Sequence, residues 1–232
     1  MAQRSFTRAA SDAPKSAANY IHRSATAIRS GDAGVSRRHA EQQALIQWAE
    51  RHSRLVGSEV LNGFDYKGSG AEHLVYYDEV RNQAIKVTHP NRFGHSTVGP
   101  GIPATALEYL LRLAWCNGIL GDEYRIVGVL QNSDDVQVIS SQPWICAHND
   151  PHPDRSEIDG YFGQFKFFPG WDNPDAPLYY NEKSNLVILD GHDHNVIRDF
   201  EGKIVAIDVV IGLPGKQVKV DIDKFLARNR SV

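Results

Sequence analysis

The clearest pattern of apolar and polar positions lies near the C-terminal end of the chain, from Leu186 to Gly212. An apolar run there ends at Asp190, a polar turn follows, and a second apolar run from Ile204 to Ile207 leads into Asp208. Short apolar runs bounded by turn residues are typical of buried strands. The sequence therefore predicts a strand, a loop and a second strand, with acidic side chains where the strands end.

Apolar runs in the middle of the chain predict four more strands, at Leu74 to Tyr77, Ala84 to Thr88, 126–130 and 136–140. The first two form a predicted hairpin that is entered through a glycine loop with Gly68 and Gly70. Glycines allow positive φ and close approach of the backbone to phosphate, although Gly-x-Gly before a strand is also an ordinary turn. The last strand runs into Gln142, Pro143 and Trp144, where proline ends the ladder and the chain can cross between lobes.

Apolar residues at helical spacing predict three helices. A cap at Ser36 precedes a predicted helix within 36–57, whose apolar positions are Ala40, Ala44, Leu45, Trp48, Leu55 and Val56. Leucines at helical spacing predict a second helix over Ala104 to Cys116, with Glu108 in its first turns. A third, short helix is predicted from Ser156 to Phe165.

Residues 1–35 differ from the rest of the chain in composition. They are rich in Ser, Ala and Arg, poor in large apolar side chains, and interrupted by Pro14 and Gly31. A segment of this kind buries too little surface to offset its own ordering entropy. We therefore expect a mobile, mildly basic tail that a protease removes rapidly.

The bulk properties narrow the class of protein. A chain of 232 residues with a net charge of −3 and no basic block does not suggest nucleic acid as an electrostatic partner. No window approaches the roughly 18 continuous apolar residues that a membrane span needs. Cys116 and Cys146 lie far apart in apolar surroundings, which favours buried free thiols in a reducing compartment. These features predict a cytoplasmic protein with no membrane partner.

Three polar side chains in the C-terminal pattern suggest a metal site. Asp190 and Asn195 lie five positions apart on the loop, and Asp208 follows the returning strand, so the three can converge. Convergent carboxylates resist ionising together unless a cation neutralises them, and carboxylate and amide oxygens suit magnesium. Phosphoryl transfer is therefore the first hypothesis.

Two other interpretations of this stretch stay open. Asp-Gly and Asp-His-Asn are ordinary turn chemistry, so the acids could serve only to shape a hairpin. Alternatively, His192, Asp193 and His194 could bind a transition metal, as in a metal-dependent hydrolase. The second interpretation needs further histidines, of which His148 and His152 are the nearest pair.

Lys86 strengthens the phosphoryl-transfer hypothesis. It lies in the middle of the predicted strand AIKV, between Ile85 and Val87, which point to the opposite face. A lysine at such a position is costly to bury without an anionic partner. Glu108 of the second helix is the natural counter-ion, and an exposed position on that helix is the equal alternative.

These pieces, in this order, resemble the protein-kinase fold. More narrowly, the chain is similar to the kinase-like domain of bacterial and phage polyvalent proteins over about residues 48–212, through GSGAEHLVYY, SQPWI, the D-x-H-x-x-N loop and AIDV. The resemblance implies an α+β, two-lobed kinase-like fold with a β-rich N-lobe and a reduced C-lobe. It divides the chain into a tail (1–35), an N-terminal helix (36–57), the N-lobe (58–140) and the C-lobe (141–232).

The resemblance also implies a role for each site residue. Gly68 and Gly70 would cover the phosphates of ATP, Lys86 would bind the α- and β-phosphates, and Glu108 would fix Lys86. Asp190 would be the catalytic aspartate, and Asn195 and Asp208 would hold Mg²⁺. The backbone of Gln142, Pro143 and Trp144 would line the adenine pocket.

Several departures from typical protein kinases leave the acceptor open. His73 replaces the third glycine of the loop, and Ile188-Leu189 replaces the His-Arg before the aspartate. His192 stands where Ser/Thr kinases have lysine and small-molecule kinases have histidine. The expected activity is ATP- and Mg²⁺-dependent phosphoryl transfer to an unidentified protein or small molecule, and a pseudokinase that only binds nucleotide is the alternative.

Overall fold

A computed structural model describes residues 13–31, 36–99, 101–171, 173 and 176–229 of the chain. The described residues fall into two compact units. The first comprises those up to Gly94 together with Pro103–Trp144, and the second comprises those in His95–Ile102 and from Ile145 onward. Both units contain helices and sheets of mainly antiparallel strands, so the predicted α+β class is confirmed.

One six-stranded sheet forms the centre of the first unit. Its strands are β1 (Leu55–Val56), β2 (Asp65–Ser69), β3 (His73–Asp78), β4 (Gln83–Thr88), β5 (Arg125–Asn132) and β6 (Asp135–Pro143). They lie in the order β1-β5-β6-β4-β3-β2, with β1 parallel to β5 and all other neighbours antiparallel. Strand β6 continues to Pro143, so the first unit extends through Trp144, whereas the sequence divided the chain after residue 140.

The two faces of this sheet differ in chemistry. Side chains alternate between faces along each strand, and on one face Ile85, Val87, Leu130 and Ile139 form a buried apolar cluster. Lys86 therefore lies on the opposite face, where its neighbours on the adjacent strands are Val75 and Ser140. The alternation read from the sequence is confirmed by this register.

The described part of the first unit contains three α-helices, α1 (Ala13–Gly31), α2 (Arg37–Arg51) and α3 (Ala106–Trp115), besides a short 3-10 helix (Ser58–Leu61) and a π-helical turn (Cys116–Leu120). Ser36 caps α2 as predicted, since its hydroxyl accepts a hydrogen bond from the His39 amide at 3.2 Å. Helix α2 ends at Arg51, so the prediction that Leu55 and Val56 continue the helix is wrong. Both residues instead pair with β5 as strand β1, which is possible because the chain turns after the helix.

Helix α1 corrects the expectation of an unpacked tail for residues 13–31. Its residues Ala17, Ala18, Ile21 and Ala25 are buried, and the helix packs against α2 and α3. Small apolar residues on one face allow close approach of neighbouring helices, so a sequence with few large apolar side chains still forms a packed face. The remainder of the predicted tail, 1–12 and 32–35, lies outside the described residues.

Shortening a buried side chain of α1 should destabilise the protein. Ile21 is fully buried, and Ile21→Ala is expected to lower the free energy of unfolding by about 2–5 kcal/mol, because it removes buried methylene groups and leaves a cavity. Arg23→Ala on the exposed side of the same helix should change it by less than about 0.5 kcal/mol. Denaturant unfolding measures both, and equal small effects would show that α1 does not pack as described.

The second unit contains a four-stranded sheet, a two-stranded hairpin and two helices among its described residues. The sheet has the order β12-β9-β8-β7 and the hairpin pairs β10 with β11. The elements are α4 (Arg155–Gln164), β7 (Phe168–Pro169), β8 (Leu178–Asn181), β9 (Leu186–Leu189), β10 (Val196–Arg198), β11 (Ile204–Ala206), β12 (Val210–Gly212) and α5 (Lys216–Asn229). The helices predicted over Ala104–Cys116 and Ser156–Phe165 correspond to α3 and α4.

Two packing features complete the second unit. Val218 and Ile222 of α5 pack against Leu178, Tyr180 and Val187 of the sheet. In the segment His95–Ile102, the Thr97 hydroxyl donates a hydrogen bond to the Leu213 carbonyl at 2.7 Å.

The structure bears on two predictions about the chain as a whole, the state of the cysteines and the lack of a membrane span. Both cysteines are free, and Cys116 is buried as expected, but Cys146 is exposed and that part of the prediction is wrong. None of the helices in the described residues is long and apolar enough to span a membrane.

Candidate functional site

The loop after β9 places Asp190 and Asn195 in direct contact. The Asn195 amide Nδ2 donates hydrogen bonds to Asp190 Oδ2 at 2.9 Å and to the Asp190 carbonyl at 3.0 Å. Asp190 itself has φ 61°, the left-handed region that aspartate tolerates better than most residues. The turn therefore holds a carboxylate and an amide side by side at the end of a buried strand.

His192 completes this turn on the other side of Asp190. Its Nε2 lies 3.2 Å from Asp190 Oδ1, so the two carboxylate oxygens have different partners. The His192 carbonyl accepts hydrogen bonds from the amides of Asn195 and Val196, both at 2.9 Å. The loop is fixed by its own backbone, and the Asp190 carboxylate remains about half exposed.

The register of the strands brings Asp208 to the same end of the second unit. Leu189, just before Asp190, pairs with Val210, and Asp208 lies two positions before that partner. Just before Asp208, the Ile207 amide donates a hydrogen bond to the Asn195 carbonyl at 2.8 Å. The segment that carries Asp208 therefore runs from beside Asn195 to beside Leu189, and convergence of the three side chains stays a prediction.

The donor set of this loop fits a magnesium ion. Asn195 directs Nδ2 to Asp190, so its Oδ1 faces away from that carboxylate and can accept a cation. Asp190 adds carboxylate oxygens, and hard oxygen donors are what magnesium prefers. The oxygens of Asp190 and Asn195 therefore suit a divalent cation.

Arg198 fixes the segment next to this loop. Its guanidinium donates to the His152 carbonyl at 2.9 Å and also binds the Glu157 carboxylate at the start of α4. The bond to Glu157 raises the pKa of Arg198 and lowers the pKa of the Glu157 carboxyl. His152 in turn contacts the Asp193 carbonyl through Nδ1 at 2.9 Å, which links this anchored segment to the Asp190 loop.

The structure does not support the transition-metal alternative. In the part of the chain that is described, the ligand atoms of His192, Asp193 and His194 do not form a group of three close enough to hold one ion. His192 Nδ1 lies 3.9 Å from Asp193, but Nε2 of the same ring faces Asp190. His192 is therefore a partner of the acids of this loop, whereas the His194 ring packs against His152 and His192.

The first unit contains a buried lysine. The Lys86 side chain is buried on the polar face of the sheet, and its Nζ lies 3.5 Å from the Tyr124 hydroxyl and 5.7 Å from the centre of that ring. Beside it, the Tyr109 hydroxyl lies 3.2 Å from the Ser140 hydroxyl. The same Tyr109 hydroxyl lies 3.1 Å from His73 Nε2. Lys86 therefore lies in a polar cluster of hydroxyl groups and an imidazole.

The glycine loop connects β2 to β3 in a tight turn. The Gly70 amide donates to the His73 carbonyl at 2.8 Å, and Gly68 has φ 157° next to an irregularity in the strand register. No heavy atom of the described residues would contact a Cβ at Gly68, so the protein itself leaves this backbone accessible.

A buried ion pair ties the glycine loop to α3. Glu72 Oε2 accepts a hydrogen bond from Arg112 Nη1 at 2.7 Å, and both side chains are buried. Gly94, with φ 78°, lies against the Glu72 carboxylate, where any side chain would collide with it. Sequence reasoning missed Glu72 and Arg112, although an acid inside a glycine loop was a visible signal.

The predicted adenine-binding segment ends the sheet of the first unit. Gln142 is buried and pairs with Ala84, and Pro143 pairs with Gln83. The Trp144 amide donates to the Asn82 carbonyl at 3.0 Å and its ring packs on Tyr77 with centroids 4.8 Å apart. The segment is thus held in an extended form at the end of β6.

The structure gives Glu108 a different role from the predicted one. Its Oε2 accepts a hydrogen bond from the Thr105 amide at 3.0 Å, while the Thr105 hydroxyl accepts one from the Glu108 amide at 3.3 Å. This reciprocal capping box uses the carboxylate at the start of α3. The positive charge of Lys86 lowers the pKa of Asp122, an acid that the sequence analysis did not single out.

Comparison with known protein families assigns the chain to a class of proteins. A family model described as "Serine/Threonine/Tyrosine Kinase found in polyvalent proteins" matches residues 38–214. The chain therefore contains a kinase-like domain. It belongs to the family of kinases found in polyvalent proteins, as the resemblance in the sequence indicated. Searches of curated proteins and of solved structures gave no match.

Proposed function

We propose that this chain catalyses ATP- and magnesium-dependent phosphoryl transfer to an acceptor hydroxyl group. The observation that carries the proposal is the bond from Asn195 to Asp190, which holds an amide ligand and a carboxylate together at the strand ends. Membership in a kinase family and the buried Lys86 support the same assignment. In phosphoryl transfer the protein mainly positions the reactants and neutralises the phosphate charge, and these side chains can do both.

Each side chain has a separate task in this reaction. Lys86 binds the phosphates of ATP, since a cation held on a buried strand keeps its position when the ligand binds. Asn195 and Asp208 hold magnesium, which supplies neutralisation of the phosphate charge. Asp190 orients the acceptor hydroxyl and accepts its proton as the phosphoryl group is transferred.

His192 keeps Asp190 in the orientation that the reaction needs. Its Nε2 faces one carboxylate oxygen while Asn195 binds the other, so the carboxylate cannot rotate freely. The exposed half of the Asp190 side chain remains available to an acceptor. The Asp190 loop therefore resembles an assembled site more closely than an ordinary hairpin turn.

Nucleotide binding tests the proposal directly. ATP with magnesium should raise the melting temperature of the wild-type chain, because a ligand that binds only the native state stabilises it by mass action. Lys86→Ala should reduce this shift, since the phosphates lose a cation. Lys183→Ala, at an exposed position in the turn after β8, is the matched control and should keep the full shift.

Two outcomes of this experiment would contradict the proposal. A wild-type chain with no shift at millimolar ATP and magnesium would rule out the nucleotide site. Equal shifts for Lys86→Ala and Lys183→Ala would show that ATP binds without the buried lysine. A shift without any turnover would instead favour the pseudokinase.

A further inference from the structure

Side chains of the first unit hold the glycine loop in place. Glu72, the last residue of the loop before β3, accepts a hydrogen bond from Arg112 of α3 at 2.7 Å, and both side chains are more than nine-tenths buried. Nearer the tip of the loop, His89 Nε2 lies 2.9 Å from the Gly70 carbonyl oxygen. The path of the loop is therefore set by contacts with α3 and with the residue after β4, as well as by its own turn.

The backbone opposite Arg112 limits where the Glu72 carboxylate can lie. A Cβ at Gly94 would lie 2.7 Å from Glu72 Oε1, so the carboxylate fits there only because Gly94 has no side chain. The Gly94 carbonyl accepts a hydrogen bond from the Ala104 amide at 2.8 Å, close to the start of α3. The carboxylate thus lies between Arg112 on one side and an anchored stretch of backbone on the other.

A second side chain of α3 contacts the first residue of β3. Tyr109 and Arg112 are three positions apart and therefore lie on the same side of the helix. The Tyr109 hydroxyl lies 3.1 Å from His73 Nε2 and 3.2 Å from the Ser140 hydroxyl. Ser140 is the neighbour of Lys86 in the strand register. Helix α3 therefore contacts both the end of the glycine loop and the strand next to Lys86.

Helix α3 is itself anchored by α2 at its first turn. The buried Glu41 accepts a hydrogen bond from the Leu107 amide through Oε2 at 3.1 Å, and its Oε1 accepts one from Arg37 Nε at 2.7 Å. The capping box of Thr105 closes the same turn. Because these contacts do not involve the glycine loop, α3 is a fixed support to which the loop can be attached.

The ion pair serves geometry more than stability. A buried pair often adds little net stability, since the cost of removing both charges from water offsets their attraction. We propose that Glu72 and Arg112 are positioning residues for ATP, and that through them α3 sets where the backbone at Gly68 and Gly70 meets the phosphates. This inference rests on the proposed function, because the glycine loop must cover the phosphates for its position to matter.

The test removes both charges at once. The double variant Glu72→Gln/Arg112→Met leaves no unpaired charge in the interior, whereas either change alone leaves one and destabilises the protein strongly. The double variant should bind ATP with magnesium about tenfold more weakly than the wild type, because a displaced loop loses about one hydrogen bond to a charged phosphate. Adenosine, which has no phosphates, should compete with ATP for the double variant and the wild type with the same affinity.

Glu72→Asp is a second variant that keeps both charges. It shortens the reach of the carboxylate by one methylene group, so the loop must move or the hydrogen bond to Arg112 must lengthen. ATP affinity should fall by a smaller factor than in the double variant, again with adenosine affinity unchanged. This variant decides the inference if unfolding curves show that the double variant is not folded.

Leu130→Ala is the control for a loss of stability alone. Leu130 belongs to the apolar cluster on the opposite face of the same sheet, so its truncation opens a cavity away from the loop. The variant should be less stable than the wild type and should bind ATP within about twofold of it, as expected for a distant, independent site.

Hydrogen exchange without nucleotide gives an independent readout of the loop. The amides of residues 68–73 should exchange at least ~10-fold faster in the double variant than in the wild type, because local opening becomes easier when the loop is no longer tied to α3. In Leu130→Ala the same amides should exchange at the wild-type rate.

Several results would overturn the inference. Equal losses of ATP and adenosine affinity would show that the ion pair supports the whole site and not the loop. Wild-type ATP affinity or wild-type exchange in the double variant, or an equal loss of ATP affinity in Leu130→Ala, would show that the pair does not position the loop. If the wild-type chain binds no ATP, the proposed function fails as well. If Lys86→Ala weakens ATP binding and the Glu72 variants do not, this inference alone fails.

Discussion

Replacing Asp190 by asparagine is expected to reduce turnover by at least ~100-fold and to leave ATP binding nearly intact. The geometry favours a clean comparison, because the asparagine oxygen can still accept the bond from Asn195 Nδ2. The substitution removes the negative charge and puts an amide group toward His192, so the acceptor proton has no base. Labelled ATP with cell lysate as a source of acceptor measures the loss, and the melting-temperature shift measures binding.

Asp208→Asn is the contrasting variant. A metal ligand serves both binding and turnover, so this change should weaken magnesium-dependent ATP binding as well as phosphoryl transfer. Small and equal effects of the two substitutions on turnover would favour a pseudokinase. Loss of folding in either variant would favour the interpretation in which these acids only shape the hairpin.

Gly191→Ala should disturb the same loop through packing. A Cβ at Gly191 would lie 2.8 Å from Phe162 Cε2 and 3.1 Å from Tyr179 Cε2, and both rings are buried. Because the rings have no open space to move into, we expect a loss of about 1–3 kcal/mol in the free energy of unfolding. Asp190 should shift with its neighbour, so turnover should also fall.

Gly160→Ala is the control for this substitution. Gly160 lies within α4, and no heavy atom of the described residues lies within 4 Å of its Cβ position. Alanine there should stabilise the helix by ~0.5–1 kcal/mol, since it restricts the unfolded chain. Denaturant unfolding should therefore show opposite signs for the two glycines, and a stable, active Gly191→Ala would contradict the packing around the loop.

Much of the fold could be predicted because it depends on local patterns. Short apolar runs identified the strands that contain Lys86 and Ile188, and capping at Ser36 fixed the start of α2. Helix α1 was missed because its buried face is mostly alanine, and a side chain so small gives little hydrophobic signal. Its stripe of Ala17, Ala18, Ile21 and Ala25 has helical spacing, which mattered more than residue size.

The candidate site shows the same division between local and distant contacts. Asp190 and Asn195 lie on one loop, so their proximity could be anticipated from spacing. The contact between Lys86 and Tyr124 could not be anticipated, because it depends on a closed loop after α3 whose backbone is set by Asn117. Glu108 was a reasonable choice as counter-ion because of its position on the helix. The sequence also has Thr105 three residues before Glu108, which is the pattern of a capping box, and the capping box is what the structure shows.

The packing of α1 has a practical consequence for the boundaries of an expression fragment. A fragment cut at residue 38, where the family match begins, would lack α1 and the Ser36 cap of α2. It would leave apolar faces of α2 and α3 open to water, and exposed faces of this kind promote association between copies. Because α3 also carries Arg112, the partner of Glu72, an α3 that loses its packing against α1 would hold the glycine loop less firmly, although both residues remain in the fragment. A fragment that retains the chain from residue 13 keeps the helix-covered surface and the ion pair in one unit.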